Sequence, residues 1–226
     1  MNVIITGVGK GVGLALAKKF LAEGFLVCGS FYENKPDFSD DNFFGFPLDL
    51  GSEKSRDEAV AELKKRSIKF DILINNAGVL LDDEETSVVL DKLRKTLEVN
   101  LIGAIDFTEK VLPLLSDTAH IVNISSTAGS LGEMKNFIHS HAPFRYPAYK
   151  ISKTALNMYT CTLALRMSRE KPGVVVSSVH PGWVKTDMGG EDADMSPSRA
   201  AEGIYNTAVS RPESGSFWFG GERVPW

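Results

Sequence analysis

Two polar residues four positions apart, Tyr149 and Lys153, have side chains that together can move a proton. They follow Pro147, a residue type that favours the first turn of a helix, and a spacing of four puts both side chains on one helical face. A free phenol has a pKa of about 10. A neighbouring ammonium favours the tyrosinate form and lowers that pKa. The pair therefore predicts an acid–base site, in which Tyr149 gives a proton to an oxygen atom or takes one from it.

A glycine-rich turn, TGVGKGVG, occupies residues 6–13, directly after the first predicted strand and before a predicted helix. Glycines let the backbone turn tightly and approach a pyrophosphate. The N-terminus of the helix that follows presents free N–H groups and the positive end of the helix dipole. Strand, glycines and helix together indicate a dinucleotide site, and an ordinary strand-to-helix turn is the alternative.

The elements that must position these residues alternate between short β-branched segments and amphipathic helices, as in repeated βαβ units. Stretches such as ILIN and VVVSSV are apolar on both faces, as expected of strands that helices cover on both sides. The pattern predicts one doubly wound Rossmann-type α/β domain over residues 1–226, with a mostly parallel sheet of about seven strands. The predicted strands are 3–5, 26–30, 43–48, 71–75, 120–125, 174–180 and 216–219.

Helix faces and helix starts can also be predicted. Leu14, Ala17 and Leu21 fall on one stripe of the first helix, which is expected to pack on the sheet. Ser52 precedes an acid and Ser196 precedes a proline, so both hydroxyls are expected to cap the N-terminus of a helix.

Composition excludes several classes of function. A net charge of −4 and a pI near 5.6 give no general attraction to nucleic acid or to an anionic membrane. The first residues already form a predicted strand, and the apolar stretches are too short to span a bilayer, so a cytoplasmic protein is expected. Cys28 and Cys161 are interpreted as reduced core residues, and the four histidines lack partners at metal-ligand spacing.

Four motifs occur in order along the chain: TGxxxGxG at residues 6–13, NNAG at 75–78, NISS at 123–126 and YxxxK at 149–153. With these motifs the chain resembles the short-chain dehydrogenase/reductase family over essentially its whole length. Downstream, HPGWVKTDMGG and SGSFWFGGERVPW are similar to its C-factor and sniffer-like carbonyl reductase branch. The resemblance implies an NAD(P)-dependent oxidoreductase.

The resemblance implies a catalytic set of Ser126, Tyr149, Lys153 and Asn100. Ser126 would donate a hydrogen bond to the substrate oxygen, and Ser125 is the alternative for this role. Asn100 matches the family asparagine that holds a water between the lysine and solvent. Its alternative role is a helix N-cap.

The resemblance also implies a set of dinucleotide contacts. For Asp49, at the end of the third strand, contact with the adenine ring and a simple turn are both open. Besides Tyr149 and Lys153, the expected contacts are Thr6, Gly7, Lys10, Gly11, Val12, Gly13, Ser30, Asp49, Asn76, Ala77, Gly78, Pro181, Gly182, Val184 and Thr186.

The end of the second strand bears on the choice of dinucleotide. NAD selectivity in this fold usually depends on an acid there, which binds the ribose 2′-hydroxyl. The chain has Ser30, Phe31 and Tyr32 at this place, with no acid and no arginine. Lys10 stands directly before Gly11, where NADP-preferring members of the family often carry a basic residue, so the resemblance implies that its ammonium meets a 2′-phosphate. We therefore expect NADP(H), with NAD(H) as the second choice.

Ser126 and Tyr149 lie 23 positions apart, more than is usual in the family, so residues 131–146 are interpreted as an insertion. This insertion either covers the substrate side of the site or is a plain surface elaboration. Residues 187–196, which contain two glycines, are expected to form a mobile lid.

The expected function is NADPH-dependent reduction of a small-molecule carbonyl compound to an alcohol, with Tyr149 as general acid. Two alternatives stay open: an NAD(P)-linked alcohol dehydrogenase that works in the oxidative direction, and a dinucleotide-binding signalling protein. The partners expected are a small-molecule carbonyl substrate, no nucleic acid and no membrane. A homodimer or homotetramer is compatible with the sequence.

Overall fold

The computed structural model describes residues 1–134 and 144–226. The strands are β1 (Asn2–Ile5), β2 (Leu26–Phe31), β3 (Phe43–Pro47), β4 (Phe70–Asn75), β5 (Leu115–Ile124), β6 (Val175–Val179), β7 (Ser216–Phe219) and β8 (Glu222–Val224). The helices are α1 (Gly11–Ala22), α2 (Glu53–Lys65), α3 (Leu90–Leu97), α4 (Ala104–Val111), α5 (Pro147–Glu170) and α6 (Pro197–Ser210). A π-helical segment, Glu98–Gly103, joins α3 to α4.

The strands of the described residues form one sheet in the order β3-β2-β1-β4-β5-β6-β7-β8. Neighbouring strands are parallel except for β7 and β8. The chain winds outward from β1 to β3 and then returns to β4 beside β1, so the strand order reverses between β1 and β4. Ligands in such sheets bind outside the carboxyl ends of the strands at this reversal. The predicted doubly wound fold is confirmed.

The described residues form eight strands, in agreement with the predicted sheet of about seven, and the strand missing from the predicted set is β8, which pairs antiparallel with β7. Phe219 pairs with Glu222, so only Gly220 and Gly221 form the turn. Both glycines have positive φ, 58° and 86°, as a tight two-residue hairpin turn requires. The Gly-Gly pair after the apolar segment 217–219 was therefore a usable sequence sign of this hairpin.

The core lies on both faces of the sheet. Successive residues of a strand point to opposite faces, so Val3 and Ile5 pack in one cluster and Ile4 packs in the other. Residues of α1 and α6 cover the first face. Residues of α2, α4 and α5 cover the second. In residues 1–134 and 144–226 no helix has the length and apolar composition to cross a bilayer.

The predicted stripe of α1 is met in part, because Ala17 is buried and Leu21 packs against the core. The buried side of α1 is formed by Gly13, Leu16, Ala17 and Phe20, whereas Leu14 is only partly buried.

The two predicted N-caps are confirmed. The Ser52 Oγ accepts a hydrogen bond from the Ser55 N–H at 3.3 Å, and the Ser196 Oγ accepts one from the Arg199 N–H at 3.3 Å.

His120, in the middle of β5, is fully buried. Its Nδ1 lies 2.8 Å from the Ala208 carbonyl oxygen, and its Nε2 lies 2.9 Å from the Ser177 Oγ. A carbonyl oxygen only accepts, so Nδ1 carries the proton of a neutral ring. Burial disfavours the imidazolium and lowers the pKa of His120 to about 4.

We predict an acid-dependent loss of stability through His120. At a pH between about 6.5 and 4, His120 is protonated in the unfolded chain but neutral in the folded chain. The free energy of unfolding should therefore decrease by about 2 to 3 kcal/mol as the pH is lowered through this range. Urea unfolding at pH 7 and pH 4.5 measures the loss, and His120→Gln should show a smaller one. Equal losses in the two proteins would show that His120 titrates alike in both states.

Candidate active site

Helix α5 places Tyr149 and Lys153 at the carboxyl edge of the sheet. The helix begins at Pro147, so Tyr149 lies in its first turn and Lys153 one turn later. Lys153 is only 5% exposed, and its Nζ donates a hydrogen bond to the Ile124 carbonyl oxygen at the end of β5, at 2.8 Å. The same Nζ lies 5.5 Å from the centroid of the Tyr149 ring. The spacing of four thus brings the two groups together.

The structure separates the two serines that follow β5. Ser125 is 1% exposed, and its Oγ donates to the Lys153 carbonyl oxygen at 3.5 Å. The Ser126 hydroxyl instead lies near the Tyr149 phenol at the wall of the same cleft, where it lowers the pKa of the phenol, and its Oγ accepts the Ala128 N–H at 3.1 Å. Of the two hydroxyls, the one on Ser126 therefore shares the site with the phenol.

The expectation that Lys153 lowers the Tyr149 pKa is not met by the protein's own groups. Burial raises the pKa of Tyr149 to about 12, and the nearby Ser126 hydroxyl lowers this pKa by less than burial raises it. Burial also lowers the pKa of Lys153 to about 8. Burial has the largest effect on both pKa values, because low-polarity surroundings disfavour tyrosinate and ammonium alike. The motif did not reveal this burial. At neutral pH Tyr149 is therefore a phenol and most Lys153 is charged.

Asn100 lies in the π-helical segment between α3 and α4, so the alternative role as a helix N-cap is wrong. Its Oδ1 accepts the Val79 N–H at 2.7 Å, and its Nδ2 donates to the Val79 carbonyl at 2.9 Å and to the Ser152 Oγ at 3.1 Å. The Ser152 hydroxyl in turn donates to the Tyr149 carbonyl at 2.7 Å. Asn100 thus ties the segment after NNAG to the first turn of α5.

A loop that follows β5 carries Ser126 and is pressed against α5. A Cβ at Gly129 would lie 2.6 Å from the Lys153 carbonyl carbon and 2.7 Å from the Lys153 Cβ. The Asn157 Nδ2 donates to the Gly129 carbonyl at 3.2 Å, and the Ser130 Oγ donates to the Pro225 carbonyl at 2.6 Å. Sequence reasoning missed these supporting residues, which lie outside the short motifs.

The glycine turn is shaped for an anion. Gly7 and Gly11 have positive φ, 75° and 58°, and a Cβ at Gly13 would lie 2.0 Å from the Gly7 carbonyl oxygen. At the N-cap of α1, Lys10 makes no side-chain capping bond, and the first turn contains no acid. The N–H groups of that turn stay open to a ligand, and Val12 lines the neighbouring cleft. These features fit the pyrophosphate of a dinucleotide.

Two hydroxyls of the predicted dinucleotide set hold this turn in place. The Thr6 Oγ1 accepts the N–H groups of Asn76 and Ala77, both at 3.0 Å, which joins the ends of β1 and β4. The Ser30 Oγ accepts the Gly7 N–H at 3.2 Å. Thr6 and Ser30 are each 1% exposed, so their side chains shape the turn from behind.

Asp49 forms a local turn after β3. Its Oδ1 accepts the Gly51 N–H at 2.8 Å, and its own N–H donates to the Ser55 Oγ at 2.9 Å. The turn alternative is therefore met, and an adenine contact at this residue stays a prediction.

The segment after β6 folds over the glycine turn. Gly182 has a φ of 91°, and Val184 bridges to Met195, which ties the two ends of this segment together. A Cβ at Gly11 would lie 3.2 Å from the Thr186 Cγ2, so the segment touches the turn from above. Its mobility as a lid stays a prediction.

Lys10 has a partner that the sequence did not suggest. Its Nζ lies 2.5 Å from the Asp187 Oδ2, and this hydrogen bond lowers the pKa of the Asp187 carboxyl. The two side chains are 67% and 79% exposed. Exposed ion pairs contribute little to stability, so a dianionic phosphate can replace Asp187.

A cleft of about 790 Å³ lies beside Ser126 and Tyr149. The insertion predicted at 131–146 falls partly outside the described residues, and with it Phe137, His139 and His141. The walls of the cleft include Leu80, Asp83, Glu84, Arg145, Tyr146, His180, Trp183, Met188 and Asp192.

In the described part of the chain no group of three His, Cys, Asp or Glu side chains could hold a metal ion.

Comparison with known proteins identifies the family. Residues 1–197 match the family model described as short chain dehydrogenase. The chain belongs to the short-chain dehydrogenase/reductase family. It is therefore an oxidoreductase of this family, and the resemblance drawn from the four motifs is confirmed.

Three similar proteins agree with the predicted branch of this family. C-signal of Myxococcus xanthus is 32% identical over 166 residues, which cover 69% of this chain and 92% of C-signal. The NADPH-bound carbonyl reductase from chicken fatty liver superposes with a TM-score of 0.87 at 26% identity, covering 100% of this chain and 94% of that one. The carbonyl reductase Sniffer of D. melanogaster gives a TM-score of 0.88 at 26% identity, covering 100% and 99%.

We predict that Gly129→Ala damages both stability and turnover. The new methyl group meets the Lys153 backbone, which cannot yield, so unfolding free energy should fall by about 1 to 3 kcal/mol. Gly203→Ala is the matched control, since nothing lies within 4 Å of its added Cβ on α6. It should raise stability by about 0.5 to 1 kcal/mol. Chemical denaturation of both variants measures this, and an undamaged Gly129→Ala protein would show that the loop is free to shift.

Proposed function

We propose that the protein is an NADPH-dependent reductase that converts a small ketone or aldehyde into an alcohol. The observation that carries the proposal is that Ser126 and Tyr149 line the same open cleft, with the buried Lys153 Nζ 5.5 Å from the centre of the Tyr149 ring. Two hydroxyls at the wall of one cleft can both bind a carbonyl oxygen. The net charge of −4 and the absence of a spanning helix in residues 1–134 and 144–226 are compatible with a cytoplasmic enzyme.

The dinucleotide would bind with its pyrophosphate on the open N-terminus of α1, above Gly7, Gly11 and Gly13. When bound, the reduced nicotinamide supplies the hydride. The end of β2 carries Ser30 and the 65% exposed Tyr32, and no acid that would repel a 2′-phosphate. Lys10 is an exposed cation at the same turn. These residues favour NADP(H), in line with the NADPH named for the chicken liver reductase.

In the proposed reaction Tyr149 donates its phenolic proton to the carbonyl oxygen as hydride reaches the carbon. Ser126 donates a hydrogen bond to the same oxygen while negative charge grows there. The Lys153 ammonium stabilises the tyrosinate that remains, and proton return restores the phenol. The protonation state of Tyr149 supports the reductive direction. With the pKa of Tyr149 raised to about 12, the chain holds the acid that reduction needs and little of the base that oxidation needs.

A signalling role is the second candidate, and the similarity to C-signal favours it. A protein that only senses a dinucleotide has no use for a proton donor beside a buried ammonium. Steady oxidation of NADPH by any carbonyl in a broad panel separates an enzyme from such a sensor.

We predict that Tyr149→Phe abolishes proton donation while the ring stays in place. Turnover should fall by at least about 100-fold. The dissociation constant of NADPH should stay within about 2-fold of the native value, since the hydroxyl is directed at the substrate. Steady-state kinetics and fluorescence titration measure the two effects. Retained turnover would remove Tyr149 from the mechanism.

We also predict that Lys10 and Asp187 have opposite effects on NADPH affinity. Lys10→Ala removes the cation that meets the 2′-phosphate and should weaken NADPH by about 10-fold with NADH barely changed. Asp187→Asn removes the competing carboxylate and should tighten NADPH by about 2- to 5-fold. Titrations at fixed low salt measure both, because ionic strength screens exposed charges. Equal effects on NADH and NADPH would contradict the assignment of Lys10.

A further inference from the structure

Helix α5, which carries Tyr149, lacks a cap of its own. The residue before it, Tyr146, has a left-handed backbone with a φ of 51°, and its side chain makes no capping bond. Pro147 has no N–H, and the Lys150 N–H donates to the Tyr146 carbonyl at 3.1 Å. The N–H groups of Ala148 and Tyr149 therefore have no acceptor within the helix.

Asp82 supplies the missing acceptor from another part of the chain. Its Oδ2 accepts the Ala148 N–H at 2.6 Å, across 66 positions of sequence. A carboxylate at a helix N-terminus also interacts favourably with the helix dipole. Asp82 lies four positions after the end of NNAG, so the first turn of α5 is held by the segment that leaves β4.

The segment that carries Asp82 is itself bound to the approach to α5. The Tyr146 N–H donates to the Glu85 carbonyl at 3.0 Å, and the Arg145 Nε donates to the Asp83 carbonyl at 2.6 Å. The Glu85 N–H donates to the Asp82 carbonyl at 2.9 Å, which closes a turn around the carboxylate. These bonds leave Asp82 little freedom to move relative to α5.

The burial of the Asp82 carboxylate also lowers the stability of the fold. Asp82 is 1% exposed, and its buried Oδ1 has no hydrogen-bond partner among residues 1–134 and 144–226. A buried carboxylate oxygen without a donor is destabilising, so capping strength alone does not account for an aspartate here. Unsatisfied buried groups that persist beside a site are typical of residues kept for function.

We propose that Asp82 is a positioning residue, which holds the first turn of α5 so that the Tyr149 hydroxyl meets Ser126 and the substrate oxygen. This inference rests on the proposed function. A displacement of about 1 Å in a reacting group can cost about 100-fold in rate, so the loss of one cap can be seen in turnover. Asp82 does not touch the reacting atoms, and its effect passes through the Ala148 N–H.

The test compares Asp82→Ala, Asp82→Asn and the control Asp91→Ala. Asp91 is also an aspartate in the first turn of a helix, α3, but its side chain is 84% exposed and pairs with Arg94 on the surface at 3.0 Å. Asp82→Ala should lower kcat by about 10- to 100-fold with the NADPH dissociation constant within about 2-fold. Asp82→Asn keeps an oxygen acceptor and should retain kcat within about 3-fold. Asp91→Ala should change neither.

If Asp82→Ala does not fold, Asp82→Glu replaces it. This variant keeps the charge but moves the acceptor by one methylene, so kcat should still fall while NADPH binds normally. A native kcat in Asp82→Ala, or in Asp82→Glu where that variant replaces it, overturns the proposal. Equal losses in Asp82→Ala and Asp82→Asn overturn it too, since the hydrogen bond would then not be the cause.

A second readout does not need turnover. The ¹³Cζ resonance of Tyr149, assigned with Tyr149→Phe, reports the surroundings of the phenol. It should shift in Asp82→Ala and keep its native position in Asp82→Asn. If the native protein reduces no carbonyl, the proposed function fails, and this resonance still decides the positioning of Tyr149: an unchanged resonance in Asp82→Ala overturns it.

Discussion

The burial of the Lys153 ammonium is the constraint around which the site is built. Lys153 is 5% exposed, so its Nζ is largely removed from water, and it donates a hydrogen bond to the Ile124 carbonyl oxygen at 2.8 Å. That loss lowers its pKa to about 8, and the same surroundings raise that of Tyr149 to about 12. A charged group in such a place keeps its position only if the elements around it are packed closely. Small residues next to Lys153 allow this close packing. Gly129 sits on its backbone, and a Cβ at Gly78 would lie 3.6 Å from its Nζ.

The same edge of the sheet serves two opposite electrostatic tasks. At the end of β1, α1 offers uncapped N–H groups to an anion, with glycines that let it approach. At the end of β5, the phenol and the ammonium are held ready for a proton transfer. The end of β4 links the two halves, because the Asn76 Nδ2 donates to the Gly7 carbonyl at 3.2 Å and the Asn75 Nδ2 donates to the Asn123 Oδ1 of β5 at 2.8 Å. A ligand that spans both halves carries anionic phosphate at one end and a hydride donor at the other, as a reduced dinucleotide does.

Local chemistry could be predicted from the sequence, whereas contacts between distant segments could not. The spacing of Tyr149 and Lys153 and the glycines of residues 6–13 need only local geometry, and both are placed as predicted. The pairing of Lys10 with Asp187 spans 177 positions and leaves no local pattern. The direction of the Tyr149 pKa also depends on burial, which a motif does not encode. The missed strand β8 is different, since the Gly-Gly turn before it was visible in the sequence.

Transfer of a labelled hydride tests the reductase assignment most directly. The native protein would be incubated with each of the two NADPH epimers deuterated at C4 of the nicotinamide and with a panel of ketones and aldehydes. The account predicts that one epimer, and not the other, delivers deuterium to the carbinol carbon of an alcohol product, which mass spectrometry and NMR detect. NADPH that binds tightly but transfers no deuterium to any carbonyl compound of the panel would contradict it.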